Sequence, residues 1–283
     1  MIDPALLPVV VFAGLLGLVI GSFLNVVISR VPAGVPLTRE SRCPQCGTPV
    51  RPWQNVPVIS WLFLRGKCAG CTARISPRYP LVELATGVAF AGVVWAFADA
   101  FRLASLAQRP DAADWWALAV IVVAYLYFAA ISIALTLIDL DTHRLPNAIV
   151  LPSYIVVGIL FTIACVLGAP WEALLRAAIG AAILYAFYFI LRLVRPAGMG
   201  GGDVKLAGVV GLVLAWLGWG PLIVGAFAAF VLGGVFGIAL LLARRAGRKT
   251  AIPFGPWMIA GAWVGIIAGE SLARGYLGLL VTA

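Results

Sequence analysis

The chain has 283 residues, 63% of them hydrophobic and 11% charged, with a mean hydropathy of +1.06. A water-soluble domain of this length needs far more polar surface to cover its core, so the composition excludes one and implies a polytopic membrane protein. The net charge of +9 comes without basic residues alternating with aromatics, which excludes a nucleic-acid groove and leaves the charge to report orientation in the bilayer.

Apolar runs recur at 5–28, 81–98, 115–138, 148–168, 173–191, 204–219, 221–243 and 251–269. Most lie near the ~20 residues that cross about 30 Å of hydrocarbon. The predicted fold class is therefore an all-α polytopic membrane protein with about eight transmembrane helices. The run at 204–219 is short, and the last run is interrupted by Glu270 and Arg274 before a final apolar tail. No basic residue precedes the first run, so it is predicted to be a retained helix and not a cleaved leader. Glycines 225, 233, 234 and 237 suit close helix packing.

The predicted domains are a first transmembrane helix (1–28), a polar module (29–80) and a transmembrane helical domain (81–283). The polar module carries Arg30, Arg39, Arg42, Arg51, Arg65, Lys67, Arg74 and Arg78 against Glu40 alone. The positive-inside rule places it in the cytoplasm. Alternation then puts Arg144, the Arg192/Arg195/Lys205 group and the 244–249 basic run on that side, and the basic-poor loops at 99–114, 168–172 and 218–221 on the other. Both termini are expected outside the cytoplasm.

The polar module holds Cys43-Pro44-Gln45-Cys46 and Cys68-Ala69-Gly70-Cys71, two C-x2-C pairs separated by 21 residues. This spacing suits a tetrahedral zinc site with two thiolates from each knuckle. Redox-active or unliganded thiols are the alternative; a reducing compartment argues against disulfides. A segment this small cannot bury much core, so the metal would supply folding energy. Four thiolates leave no open position, which makes the site structural. Cys165, inside an apolar run, reads as a small buried hydrophobe.

Two acidic stretches stand out. Asp203 follows Gly200, Gly201 and Gly202, and Ile138-Asp139-Leu140-Asp141 ends an earlier apolar run. An ionisable group at a membrane surface is costly and a functional candidate by default. The glycines are expected to let the backbone leave helical geometry and to let another peptide approach. Two carboxylates held close together share a proton, which supplies a base and an acid for attack on a carbonyl through water. On the residues alone two other readings stay open: solvated helix caps, and a proton- or cation-coupled transporter using Asp139 and Asp203. His143 reads as a headgroup contact, and Lys205 as a side chain that reaches for the interface or steadies Asp203.

Taken in order, Gly21-Ser22-Phe23-Leu24-Asn25-Val26-Val27, the paired C-x2-C knuckles, Arg78-Tyr79-Pro80-Leu81-Val82-Glu83, Ile138-Asp139 with Leu145-Pro146-Asn147, the G-x-G-D of Gly200 to Asp203, and Pro253-Phe254-Gly255-Pro256 resemble the bacterial type IV prepilin leader peptidases. The resemblance runs from the first helix to the last. It implies a polytopic inner-membrane aspartic protease that cuts a short basic leader after Gly and then methylates the new N-terminal residue with S-adenosylmethionine. The implied substrates are type IV prepilins and type II secretion pseudopilins, and the implied catalytic pair is Asp139 and Asp203, with Asp141 a neighbour. Many members carry Asp where this chain has Asn147. No residue is implied for the methyl donor. A non-catalytic assembly component that binds pilin through its zinc module is the remaining rival.

Overall fold

The computed structural model describes residues 6–98, 112–195, 199–243 and 253–282. The 244–249 basic run and most of the 99–114 loop lie outside the described residues. Among the described residues the regular elements are helical, apart from two isolated antiparallel bridges, Arg42 with Pro49 and Lys67 with Arg74. The helices are α1 (Leu7–Arg30), α2 (Ile59–Phe63), α3 (Arg78–Ala96), α4 (Ala112–Thr142), α5 (Asn147–Val166), α6 (Trp171–Val194), α7 (Gly201–Leu217), α8 (Trp219–Leu242) and α9 (Gly255–Thr282). A 3-10 turn covers Pro52–Asn55. Seven of these helices, all but α2 and α7, are long and apolar enough to cross a membrane. The short run expected at 204–219 is α7, at 17 residues.

Two helices outrun their apolar stretches. Helix α4 continues through Asp139 and Asp141 to Thr142, so both acids belong to its C-terminal end. Helix α9 passes Glu270 and Arg274, where the sequence suggests a break, because the Arg274 guanidinium donates to the Glu270 carboxylate at 2.7 Å one turn away. Such an i,i+4 pair supports helix where either charge alone would not.

The chain forms two compact units. One comprises 1–110 with 125–134, and the other 111–124 with 135–283. In the first, α1 and α3 are in backbone contact: a Cβ at Gly17 would lie 2.6 Å from the Thr86 carbonyl oxygen, and one at Gly21 would lie 2.6 Å from the Glu83 Cα. Only glycine permits that approach. It sets Ser22 and Asn25 of α1 beside the start of α3, where Asn25 Nδ2 donates to the Tyr79 carbonyl at 3.1 Å.

In the second unit α7 is the central element. Every residue from Leu206 to Trp216 is buried, and α7 is flanked by α5, α6, α8 and α9. Its crossing with α6 is glycine against glycine, since a Cβ at Gly211 would overlap the Gly180 carbonyl. At Gly208 the missing side chain is replaced by Tyr154, whose hydroxyl donates to the Lys205 carbonyl. At the far end Arg176 donates to the carbonyls of Ala215 and Trp216 at 2.6 and 2.7 Å. These are carbonyls that a helix C-terminus leaves without intrahelical partners. Helix α7 is thereby held along its whole length, with Asp203 at its first turn.

Candidate active site

The four cysteines of the first unit converge. Their sulfurs all lie within 4.8 Å of one another, with Cys43 Sγ 3.8 Å from Cys71 Sγ and Cys46 Sγ 4.0 Å from Cys68 Sγ. A tetrahedral zinc ion about 2.3 Å from each sulfur sets sulfurs about 3.8 Å apart, so the cluster fits the ion. Each pair sits on a small hairpin closed by one of the two bridges. In the first, the Cys43 N–H donates to the Thr48 carbonyl and the Gly47 N–H to the Cys43 carbonyl; in the second, the Cys68 N–H donates to the Ala73 carbonyl and the Thr72 N–H to the Cys68 carbonyl. Gly47 and Thr72 both take left-handed backbones to close these turns. The Thr48 hydroxyl and backbone N–H hold the Cys46 thiol down at about 6, toward the thiolate a metal requires.

The module is tied to the helices at both ends. Arg30, in the last turn of α1, donates to the carbonyls of Pro36, Leu37 and Arg39 and to the Ser41 hydroxyl. On the other side, the Val58 N–H donates to Glu83 Oε2 at 2.7 Å. Val58 itself has φ 60 and ψ −50, with the Ile59 N–H bonded back to the Pro57 carbonyl. That is a tight γ-turn of the positive-φ kind, costly by about 1–3 kcal/mol for a β-branched residue. Glu83 is 8% exposed.

The second unit holds the acids. Asp139 is 4% exposed in the last turn of α4, and its Oδ2 is buried without a protein hydrogen-bond partner. Gly255, the first residue of α9, is where that carboxylate points: a Cβ there would sit 2.7 Å from Oδ2. Asp203 is half-buried three residues into α7, and its Oδ2 accepts the Gly200 N–H at 3.0 Å. Both carboxylates lie against the same small set of residues: Leu145 packs against Gly202, beside Asp203, and against Gly255, which Asp139 faces. They occupy opposite helix ends, Asp203 where the macrodipole favours a negative charge and Asp139 where it opposes one. Leu145 is the wedge between the elements, 2.8 Å from a Cβ at Gly202 and 3.4 Å from one at Gly255.

The glycines serve close approach without leaving the helix. Gly200 is the extended N-cap, but Gly201 and Gly202 are already helical. A Cβ at Gly201 would meet the Arg192 guanidinium at 2.5 Å. Asp141 and His143 are exposed, and His143 takes φ 51 with its N–H donating to the Asp139 carbonyl, closing α4 in the left-handed conformation usual at helix ends. Lys205 donates to Asn147 Oδ1 at 3.0 Å, and with Tyr154 and Tyr185 it lines an open, largely apolar groove of about 470 Å³.

The ordered motifs have counterparts in known proteins. The bacterial peptidase A24 N-terminal domain matches residues 15–97, and the type IV leader peptidase family matches residues 126–238. A prepilin leader peptidase/N-methyltransferase of Stutzerimonas stutzeri is 35% identical over 95% of this chain and 93% of its own. The chain belongs to the type IV leader peptidase family. Relatives with the same name from Neisseria gonorrhoeae and Pseudomonas aeruginosa are 37% and 32% identical, each over 93% of this chain and 91% of theirs. No solved structure matches it.

Three residues that the structure places in these contacts have no role in the sequence reading, although each falls within a quoted motif. Gly255 carries no acid and sits over a hundred residues from Asp139, and its signal is only the Pro253-Phe254-Gly255-Pro256 punctuation before an apolar run. Leu145 stands in the sequence only as the first residue of Leu145-Pro146-Asn147, without a role of its own. Glu83 closes the Arg78-to-Glu83 motif, where the sequence gives it no role.

Proposed function

We propose that Asp139 and Asp203 are the catalytic pair of a membrane aspartic endopeptidase that removes the leader of type IV prepilins or pseudopilins after Gly, and that the same chain then N-methylates the exposed residue. The observation that carries the peptidase reading is the buried Asp139 Oδ2, without a protein hydrogen-bond partner, set against Gly255 with Leu145 bridging to Gly202 beside Asp203. Two carboxylates so placed cannot both ionise cheaply, and they titrate as a unit holding one proton near neutral pH. The ionised member draws a proton from a water as the water attacks the scissile carbonyl. The protonated member donates to the developing oxyanion and then to the leaving amine. Gly202 and Gly255 let Leu145 and the Asp139 carboxylate pack where a side chain would otherwise stand, which fixes the two acids in place.

Zinc, held by Cys43, Cys46, Cys68 and Cys71, supplies folding energy to the module and takes no part in bond breaking. Methylation draws its methyl group from S-adenosylmethionine. The eight basic residues of 29–80 support a cytoplasmic module in the inner membrane, with the acids at the cytoplasmic face and, with the 17-residue α7 as an eighth crossing beside the seven longer helices, both termini periplasmic. An impermeant thiol reagent tests the arrangement: labelling an introduced cysteine at Arg248 in intact spheroplasts would contradict it.

Co-expression with candidate prepilins, followed by the mass of each product, tests the activity. The expected product has lost its leader at a Gly and gained one methyl group. Unprocessed substrate across the whole candidate set would defeat the proposal.

A further inference from the structure

The acids of the second unit account for cleavage, but a polar cluster in the first unit is left without a task. Glu83 is buried on α3, a helix otherwise apolar enough to cross a membrane. An ionisable group there is a functional candidate by default. Its carboxylate accepts the Val58 N–H at 2.7 Å, and on the neighbouring helix the Ser22 hydroxyl donates to Asn55 Oδ1 at 3.5 Å. Among the described residues no cationic side chain forms an ion pair with Glu83. The cluster is thus rich in hydrogen-bond acceptors and has no cationic partner of its own. It is also open on one side, since Ser22 is half-buried and Asn55 exposed. The strained Val58 turn is held against it, and backbone strain of this kind gathers at functional sites.

A hydroxyl, an amide oxygen and a carboxylate are what a primary ammonium group needs, having three N–H donors and a positive charge. We propose that Ser22, Asn55 and Glu83 hold the N-terminal amine of the cleaved substrate for methylation, and that Glu83 takes its proton. This rests on the methyl-transfer half of the function above. The ammonium N–H breaks and its proton moves to a Glu83 oxygen. The freed lone pair forms the N–C bond to the methyl group of S-adenosylmethionine while the C–S bond breaks, its electron pair returning to sulfur. The sulfonium becomes a thioether, the nitrogen leaves as a methylated ammonium, and Glu83 gives its proton to solvent. The tight α1–α3 contact at Gly17 and Gly21 is what brings the acceptors together.

The full chain, purified in lipid nanodiscs with zinc bound, is assayed on two substrates: intact prepilin for cleavage, and a pre-cut peptide with a free N-terminus plus methyl-labelled S-adenosylmethionine for transfer. Glu83→Gln keeps an acceptor for the Val58 N–H but cannot take a proton. It is expected to lower methylation about 100-fold or more, with cleavage within twofold and zinc content unchanged. Ser22→Ala, which leaves the Val58 bond in place, is expected to raise the KM for the acceptor peptide about tenfold. Methylation by Glu83→Gln within threefold of wild type would overturn the proposal. So would a loss matched by equal losses of cleavage or zinc, which marks Glu83 as a structural anchor. If Glu83→Gln does not fold, Ser22→Ala decides, and an unchanged KM overturns the assignment. A wild-type chain that cleaves prepilin but methylates no pre-cut peptide removes the methyl-transfer function itself, and the proposal with it.

Discussion

Both units of this chain rely on glycine, for different ends. Between α1 and α3, Gly17 and Gly21 bring backbone against backbone, and the polar residues that follow are carried along with the helices. In the second unit the spaces at Gly202 and Gly255 are filled by the Leu145 and Asp139 side chains. The first arrangement positions whole elements, and a metal cluster and the Arg30 and Glu83 bonds then tie an otherwise coreless module to them. The second positions individual atoms on a bundle that α7 already makes rigid. A glycine in a membrane helix is therefore informative only once its neighbour is known.

The largest effect should come from the acids themselves. Asp139→Asn or Asp203→Asn is expected to lower prepilin cleavage by about 10³-fold or more, with the double variant little worse, as for residues acting as a unit. Expression should survive, because Asn is nearly isosteric, and methylation of a pre-cut peptide should persist. An Asp203→Asn enzyme working near the wild-type rate would show that the second unit's glycines do not surround the active site.

Next comes the metal. Removing zinc, or replacing Cys46 or Cys68 by Ser, should release about one zinc per chain and unfold the module, seen as protease sensitivity within 31–77. Metal analysis alongside limited proteolysis checks this. A folded, protease-resistant protein without metal would erase the contrast between a metal-tied unit and a packed one.

Gly255→Ala separates atom positioning from helix packing. The new Cβ would lie 2.7 Å from Asp139 Oδ2, so the carboxylate must shift. Displacements of that size cost about 10²-fold in well-oriented sites. Cleavage kinetics should fall by about 10- to 100-fold with little change in thermal unfolding. A stability loss as large as the activity loss would put Gly255 in the same class as Gly17.

The smallest effects are expected at the exposed end of α4. Asp141→Asn and His143→Ala should keep cleavage within about threefold, because neither side chain lies in the buried pocket. His143→Gly should slightly raise thermal stability, by about 0.5 kcal/mol, since a left-handed backbone favours glycine. A loss of cleavage beyond tenfold in His143→Ala would bring that histidine into the chemistry.

Much of this was legible in the sequence. Apolar runs near 20 residues announced the spans, and C-x2-C spacing announced the cysteine cluster, because both signals are local. The proposed pairing of Asp139 with Asp203 rests on motif and topology. Gly255 against Asp139 and Glu83 against Val58 were not legible, because each depends on a meeting of distant segments that no periodicity encodes. The continuation of α9 was misread for a smaller reason: two charges that look like an interruption neutralise each other one helical turn apart.

The place of Gly255 also bears on the order in which the protein becomes active. Asp139 and Asp203 are synthesised well before α9, and the wall that Asp139 faces is the first residue of that last helix. A nascent chain stalled before residue 255 therefore has both acids in the membrane and no finished pocket around them. If the proposed pair is the active site, a chain stalled before residue 255 is expected to cleave no prepilin.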